Sequence, residues 1–222
     1  MTSHNVLTPR FMRSGAVAFS AVAFGVAATF MLAGCSGGAP ADPGAAPPTA
    51  SETASSSPAA TPTAKPSAAY KPADASGPAQ NVPVPVLPEV AKTETKEGLE
   101  AFVRYWYATL NYAFETGDTE KLVETSGPGC VFCMGLKDGV TEAWGEGRWV
   151  SGGKIETPAV SVVFKPGVES HAVVQVLQQT IEIRKPDGSL FQAPTAATNT
   201  GSRAAATFGS TGWMMTDLGL IR

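Results

Sequence analysis

Three cysteines carry the most distinctive chemistry of this 222-residue chain, and two of them, Cys130 and Cys133, are separated by two residues. This spacing suits a structural disulfide, a redox-active thiol pair or part of a metal site. A redox pair would place a thiolate at the start of the helix predicted from Met134. Zinc needs four ligands, and only His171 could join the two cysteines, since His4 lies in a predicted leader. We predict a structural disulfide, keep redox work as an alternative, and predict no metal.

The other reactive residue types form no recognisable catalytic motif. Over the predicted folded residues 93–222 the sequence contains no G-x-S-x-G, no P-loop and no G-x-G-x-x-G pattern. The acids in and beside the predicted strands are few, and Glu156, Glu169 and Glu182 form no local pair suited to acid–base work. With 16 Lys and Arg against 19 Asp and Glu, the net charge of −3 excludes a basic nucleic-acid binder. We therefore predict no catalytic residue, no cofactor and no nucleic-acid partner.

The third cysteine, Cys35, ends a segment with the character of an export signal. Arg10 and Arg13 precede an uncharged, largely apolar stretch over 14–32, and small residues follow at 33 and 34. A basic start, an apolar stretch and small residues before a cleavage position describe a secretory signal. Leu32-Ala33-Gly34-Cys35 resembles the lipobox of bacterial lipoproteins. The resemblance implies cleavage before Cys35 and attachment of diacylglycerol, with fatty acids of the palmitate type, to its sulfur.

This signal predicts where the rest of the chain is located. Two acyl chains hold a protein stably on a membrane, whereas one chain binds only marginally. The alternative is an uncleaved helix over 15–34, which is long enough to span a bilayer. Because the two arginines keep the N-terminus in the cytoplasm, both interpretations place the chain on the extracytoplasmic face of the cell membrane.

The next segment, 35–92, has the composition of a disordered linker behind the lipidated cysteine. Twelve of the 18 prolines lie in it, and Tyr70 is its only aromatic residue. Such a stretch buries too little apolar surface to offset the entropy of ordering it. The more apolar run Val82–Pro88 could pack onto the following domain as a strap.

Residues 93–222 form the predicted folded domain, and their pattern changes halfway along. Apolar residues first recur at helical spacing, and segments rich in Val, Ile and Thr then alternate with Gly and Pro turns. Helices followed by antiparallel strands define an α+β domain. The predicted helices cover 94–116, 119–125 and 134–145, and the predicted strands cover 148–157, 159–165, 171–184, 203–208 and 213–221, with a four-residue loop before the last.

The order of these elements resembles a known superfamily. The chain resembles NTF2-like (cystatin-like cone) domains in the order of its elements. These are a long helix with an aromatic run over 101–107, a turn at 116–118, a short helix and a strand-rich half. Tyr105-Trp106 together with Cys130-Val-Phe-Cys133, behind a lipobox and a Pro-rich spacer, is similar to a group of actinobacterial lipoproteins with a domain of unknown function. The resemblance implies helices packed on a curved antiparallel sheet. We expect pocket-lining roles for Tyr105, Trp106, Trp149 and Trp213.

These observations favour a binding module over an enzyme. The membrane is the expected partner of the lipid, and the open end of the sheet is expected to bind a small apolar ligand, a wall fragment or an envelope protein. One alternative is an isomerase- or hydrolase-type enzyme of the cone fold, in which a pocket tyrosine among Tyr105, Tyr107 and Tyr112 acts. The other is a thiol redox protein that uses Cys130 and Cys133.

The lipobox predicts a defined chemical modification. In protein extracted from membranes of its own host, the chain should begin at Cys35, and that residue should carry the mass of a diacylglycerol thioether. Mass spectrometry of the mature protein and its digest measures both properties, and the peptide containing Cys130 and Cys133 is the internal control that should lack lipid. A free thiol at position 35, or recovery of the protein from the cytosol, would contradict the prediction.

Overall fold

The computed structural model describes residues 68–221. The predicted signal peptide over 1–34, the predicted lipid on Cys35 and residues 36–67 of the predicted linker lie outside the described residues. Helices precede strands, as predicted. The elements are α1 Lys96–Thr116, α2 Glu120–Glu124, α3 Val131–Ala143, β1 Trp149–Gly152, β2 Ile155–Glu156, β3 Val160–Val163, β4 Ser170–Gln178, β5 Ile181–Arg184, β6 Thr198–Gly209 and β7 Gly212–Ile221. The predicted α+β architecture of helices packed on a curved antiparallel sheet is confirmed.

The first helix is the central element of the domain. Its start is capped by the Thr95 hydroxyl, which accepts a hydrogen bond from the Gly98 amide at 2.9 Å. Its end is set by Gly117, whose φ of 76° is the left-handed conformation that glycine adopts without strain. The predicted apolar stripe is buried throughout and comprises Leu99, Phe102, Val103, Trp106, Leu110, Ala113 and Phe114. In the part of the chain that the structure describes, no helix is long and apolar enough to cross a bilayer.

The third helix begins three residues earlier than predicted. The amide of Cys130 donates to the Gly127 carbonyl at 3.0 Å, and this turn directs the chain into a helix at Val131. Cys130 is the N-cap residue, and its sulfur accepts a hydrogen bond from the Cys133 amide at 3.3 Å. The cysteine pair therefore spans the first turn of α3 and does not precede it.

The main sheet is antiparallel, and β4 lies inside it. On one side β4 pairs with β6, which pairs with β7, and on the other side it pairs with β2 and β3. The predicted strand over 171–184 is divided at Gln179 and Thr180. The division arises because Ile181 exchanges two backbone hydrogen bonds with Thr195, at 3.0 and 2.9 Å, and β5 pairs with β1 in a separate two-stranded sheet.

The closing hairpin is longer and tighter than predicted. β6 starts at Thr198, five residues before the predicted start, because the polar run over 198–202 pairs with the whole second half of β4. Gly209 pairs with Gly212, so the loop contains only Ser210 and Thr211, where we had predicted four residues. A register shift between Ala205 and Ala206 marks an irregularity in the pairing of the two strands.

Residues 68–92 pack against the domain, although their composition predicts a linker up to 92. The Trp149 indole nitrogen donates to the Asp74 carbonyl at 2.9 Å, and the Tyr70 hydroxyl donates to Glu115 at 2.8 Å. Ala91, in a 3₁₀ turn over Glu89–Lys92, belongs to the core. Proline-rich backbone still offers carbonyl acceptors, and side chains of the domain use them here. The packed part of the chain therefore includes residues that the prediction assigned to the linker.

Two glycines of the helices provide a matched test of this packing. A Cβ at Gly98 would overlap the Thr93 carbonyl oxygen and lie 2.9 Å from that of Val90, whereas a Cβ at Gly135 would meet nothing within 4 Å. Gly98→Ala should lower the free energy of unfolding by about 1–3 kcal/mol through overpacking. Gly135→Ala should raise it by about 0.5–1 kcal/mol through helix propensity. Denaturant unfolding followed by tryptophan fluorescence measures both, and changes of the same sign would refute the close approach at Gly98.

Candidate functional site

An apolar pocket of about 160 Å³ lies between α1, α3 and the helix-covered face of the main sheet. The helices contribute aromatic and aliphatic side chains, and β6 contributes small hydroxyl side chains. The lining residues are Tyr107, Leu110, Phe114, Phe132, Leu136, Ile155, Val176, Gln178, Thr198, Thr200, Ser202, Leu218 and Leu220.

The periodicity of each element accounts for this lining. Tyr107, Leu110 and Phe114 follow one another at three and four residues, so they share one face of α1. Phe132 and Leu136 do the same on α3. On β6 and β7 the lining residues are every second one, because successive side chains of a strand point to opposite faces.

The pocket has a buried floor and an exposed rim. Tyr107 is only 4% exposed, and Ser202 and Leu218 are also buried. Leu220 is 50% exposed, and Thr198 is exposed as well. A ligand could therefore enter over the rim at Thr198 and Leu220, along the face of the sheet, and reach the floor beneath α1.

The polar groups on the floor are neutral. The hydroxyls of Tyr107 and Ser202 both line it, and the Ser202 hydroxyl donates to the Gly219 carbonyl at 3.1 Å. Burial raises the pKa of Tyr107 to about 12, so the phenol stays protonated at physiological pH. The lining contains no carboxylate, amine, imidazole or thiol. Its chemistry is therefore apolar contact plus neutral hydrogen bonding.

The four residues predicted to line a pocket do not line this one, although three of them line other cavities: Tyr105 and Trp213 share one, and Trp149 lines another. Tyr105 and Trp213 lie together in a second cleft, beside the β6–β7 hairpin. Trp106 is fully buried in the core, where its indole nitrogen donates to the Ser126 hydroxyl at 2.8 Å. Trp149 lies on β1 against residues 73–74. The structure thus brings two of the four together and separates the others.

The cysteine pair forms the predicted disulfide. Cys130 and Cys133 are bonded, and both are fully buried. His171 lies on β4, paired with Val163 and Ala205 in the sheet. Among residues 68–221, no group of three or more His, Cys, Asp or Glu side chains is placed to hold a metal ion.

Helices packed across a curved antiparallel sheet, with an apolar pocket between them, define a domain of the α+β class. The chain belongs to DUF6318, a family of unknown function whose sequence model matches residues 68–219. The domain of unknown function suggested by the sequence is thus found. A comparison with curated proteins gave no significant match.

Solved structures with similarity to the chain include three whose own length is almost wholly covered. The intermembrane space region of the chloroplast protein ARC6 has 15% identity and a TM-score of 0.44, over 58% of this chain and 98% of that one. A structure from Catenulispora acidiphila has 14% identity and a TM-score of 0.39, with 56% and 91% covered. Aln2 from a Streptomyces species has 12% identity and a TM-score of 0.39, with 59% and 94% covered.

Sequence reasoning missed the floor of the apolar pocket for an identifiable reason. Tyr107 follows Trp106 directly, and the sequence pattern groups it with Tyr105 and Tyr112 as a candidate catalytic hydroxyl. Ser202 lies in a polar run that we had not assigned to a strand. The alternation of Thr198, Thr200 and Ser202 was the available signal, since every second residue of a strand faces one side.

The burial of Tyr107 predicts a loss of stability at high pH. The pKa of Tyr107 is about 10 in the unfolded chain and about 12 in the folded one. The contribution of the neutral phenol to the free energy of unfolding is therefore complete below pH 10 and is lost between about pH 10 and 12. The free energy of unfolding should fall in this window, and Tyr107→Phe should reduce the slope by about 1 kcal/mol per pH unit. Denaturant unfolding at a series of pH values measures the slope. Plotted against pH, the free energies of unfolding of the wild type and Tyr107→Phe should be parallel between pH 7 and 9. If they stay parallel above pH 10, the raised pKa of Tyr107 is contradicted.

Proposed function

We propose that this chain is a lipid-anchored binding protein of the cell envelope, whose apolar pocket holds a small apolar ligand on the extracytoplasmic face of the membrane. The observation that carries the proposal is the pocket itself, a cavity of about 160 Å³ between α1, α3 and the sheet. Eight of its 13 lining residues are Leu, Phe, Ile or Val. Such a surface gains free energy when an apolar group displaces water from it.

The size of the pocket limits the ligand class. A cavity of about 150 Å³ lined by Leu, Ile and Phe takes up benzene. A single ring or the end of one hydrocarbon chain therefore matches the volume, whereas a sterol or a whole lipid would extend beyond the rim. The half-exposed Leu220 at the rim gives a longer chain a surface on which to continue.

The chemistry of the lining favours binding over turnover. General acid–base catalysis needs a group whose pKa lies near the working pH. The phenol of Tyr107, with a pKa of about 12, is far from that range, and the other polar lining groups are hydroxyls and one amide. Thiol redox work is disfavoured because both sulfurs are joined and fully buried.

The proposed anchor explains why a domain of this kind would follow a Pro- and Ala-rich stretch. Residues 36–67 lie between the predicted lipid and the described domain. In general, a flexible chain of 32 residues spans about 30 Å, and a fully extended one spans about 100 Å. We propose that they hold the pocket away from the membrane surface.

Filling the pocket tests the proposal. In the full chain reconstituted in lipid nanodiscs, benzene at about ten times its Kd should stabilise the fold by about 1.4 kcal/mol and raise the melting temperature by about 3–6 °C. Thr200→Phe places a ring inside the pocket and should abolish the rise. The matched control, Asn199→Phe, puts the same ring on the opposite face of β6 and should retain it.

Thermal unfolding followed by tryptophan fluorescence provides the readout. The proposal is refuted if benzene leaves the melting temperature of the wild type unchanged. It is also refuted if both variants respond to benzene as the wild type does, since the ligand would then bind outside the pocket.

A further inference from the structure

One wall of the apolar pocket is a polar stripe that is one strand wide. Every second residue of β6 on this side carries a hydroxyl, and Thr198, Thr200 and Ser202 all line the pocket. The neighbouring strands contribute aliphatic side chains at the same level: Val176 of β4 is paired with Thr200, and Leu220 of β7 is paired with Ser202. The hydroxyls of Thr200 and Ser202 therefore form a row with apolar side chains beside them.

The stripe follows the extent of the pocket along β6. Thr198 is exposed at the rim, Thr200 is half-buried, and Ser202 at the floor is 3% exposed. Two residues further along the same face, Ala204 is fully buried in the core. A hydroxyl in a closely packed core is costly unless it finds a partner. On this face β6 thus carries hydroxyls along the pocket and an alanine where the core begins.

The helices supply a wall of the opposite character. At the rim the amide of Gln178 lies next to Thr198, its partner in the register of β4 and β6, so further hydrogen-bonding capacity lies on the sheet side. The helices add one polar group, the Tyr107 hydroxyl at the floor. Their other lining side chains are apolar, namely Leu110, Phe114, Phe132 and Leu136. A molecule between the two walls would meet apolar side chains on one side and hydroxyls on the other.

Thr200 is the hydroxyl best placed to bind a ligand. The Ser202 hydroxyl already donates to the Gly219 carbonyl at 3.1 Å, and Thr198 lies at the rim, where bulk water competes for its hydrogen bonds. Thr200 lies between them at half depth. Its hydroxyl can donate one hydrogen bond and accept others, and such bonds are stronger where water is excluded.

We propose that the ligand of the apolar pocket is a small neutral alcohol or phenol, whose apolar body packs against the helices and whose hydroxyl hydrogen-bonds to Thr200. This inference rests on the proposed function of the pocket and names the class of its ligand. A ligand without a polar atom would strip water from the Thr200 hydroxyl and leave it uncompensated. A charged ligand would lose its hydration without meeting an opposite charge, because the lining contains no ionised side chain.

Phenol and benzene form a matched pair of probes that differ only in a hydroxyl. Each is titrated calorimetrically at pH 7 into the full chain in lipid nanodiscs, with empty nanodiscs as the reference for uptake by the lipid. The wild type should bind phenol about twofold to tenfold more tightly than benzene. Thr200→Val keeps the shape of the side chain and removes its hydroxyl, so it should reverse this order.

Two further variants control for the change of side chain. Thr200→Ser retains the hydroxyl and should still prefer phenol. Thr207→Val makes the same exchange of hydroxyl for methyl on β6 but outside the pocket, and it should bind both probes as the wild type does.

The outcomes separate this inference from the proposed function. If neither probe binds to the wild type, both proposals are refuted. If benzene binds at least as tightly as phenol, or if Thr200→Val keeps the preference for phenol, the alcohol proposal alone is overturned. Tighter binding of benzoate than of benzyl alcohol would also overturn it, because the pocket would then select charge.

Discussion

The burial of Trp106 is the constraint on which the rest of the domain depends. Its ring has no exposed surface, and its indole nitrogen donates to the Ser126 hydroxyl, which donates to the Leu122 carbonyl at 2.7 Å. The neighbouring Gly127 amide then donates to the Met215 carbonyl of β7 at 2.7 Å. One chain of hydrogen bonds therefore joins α1, the end of α2 and the edge of the sheet, in a region where an unpaired donor would be costly.

This arrangement explains how one helix can line two separate cavities. Successive residues of an α-helix are rotated by about 100°, so Tyr105, Trp106 and Tyr107 face three directions. With Trp106 in the core, Tyr105 faces the cleft beside the hairpin and Tyr107 faces the apolar pocket. The side chains around Tyr107 are mostly aliphatic and aromatic, which is why we assign an apolar ligand to that pocket.

Prediction succeeded where a short stretch of sequence contains its own physical cause. The stripe of α1, the stop at Gly117 and the disulfide of Cys130 and Cys133 each depend on neighbouring residues, and the structure has all three. Prediction failed where pairing with a residue distant in the sequence decides the local structure. Residues 198–202 are polar enough for a loop, yet they pair with β4. The strand predicted over 171–184 divides because Thr195 pairs with Ile181.

The sequence by itself determined the class of the domain, the main helix, the disulfide and the prediction of a lipid anchor, because periodicity, capping and a local signal need no knowledge of the fold. Only the tertiary structure decided which aromatic residues meet. It separated Trp149 from Trp213, placed Trp106 in the core and assembled the pocket from two helices and the sheet. The physical reason is that a pocket is a relation between faces of different elements, and the angle at which those faces meet is set by packing across the whole core.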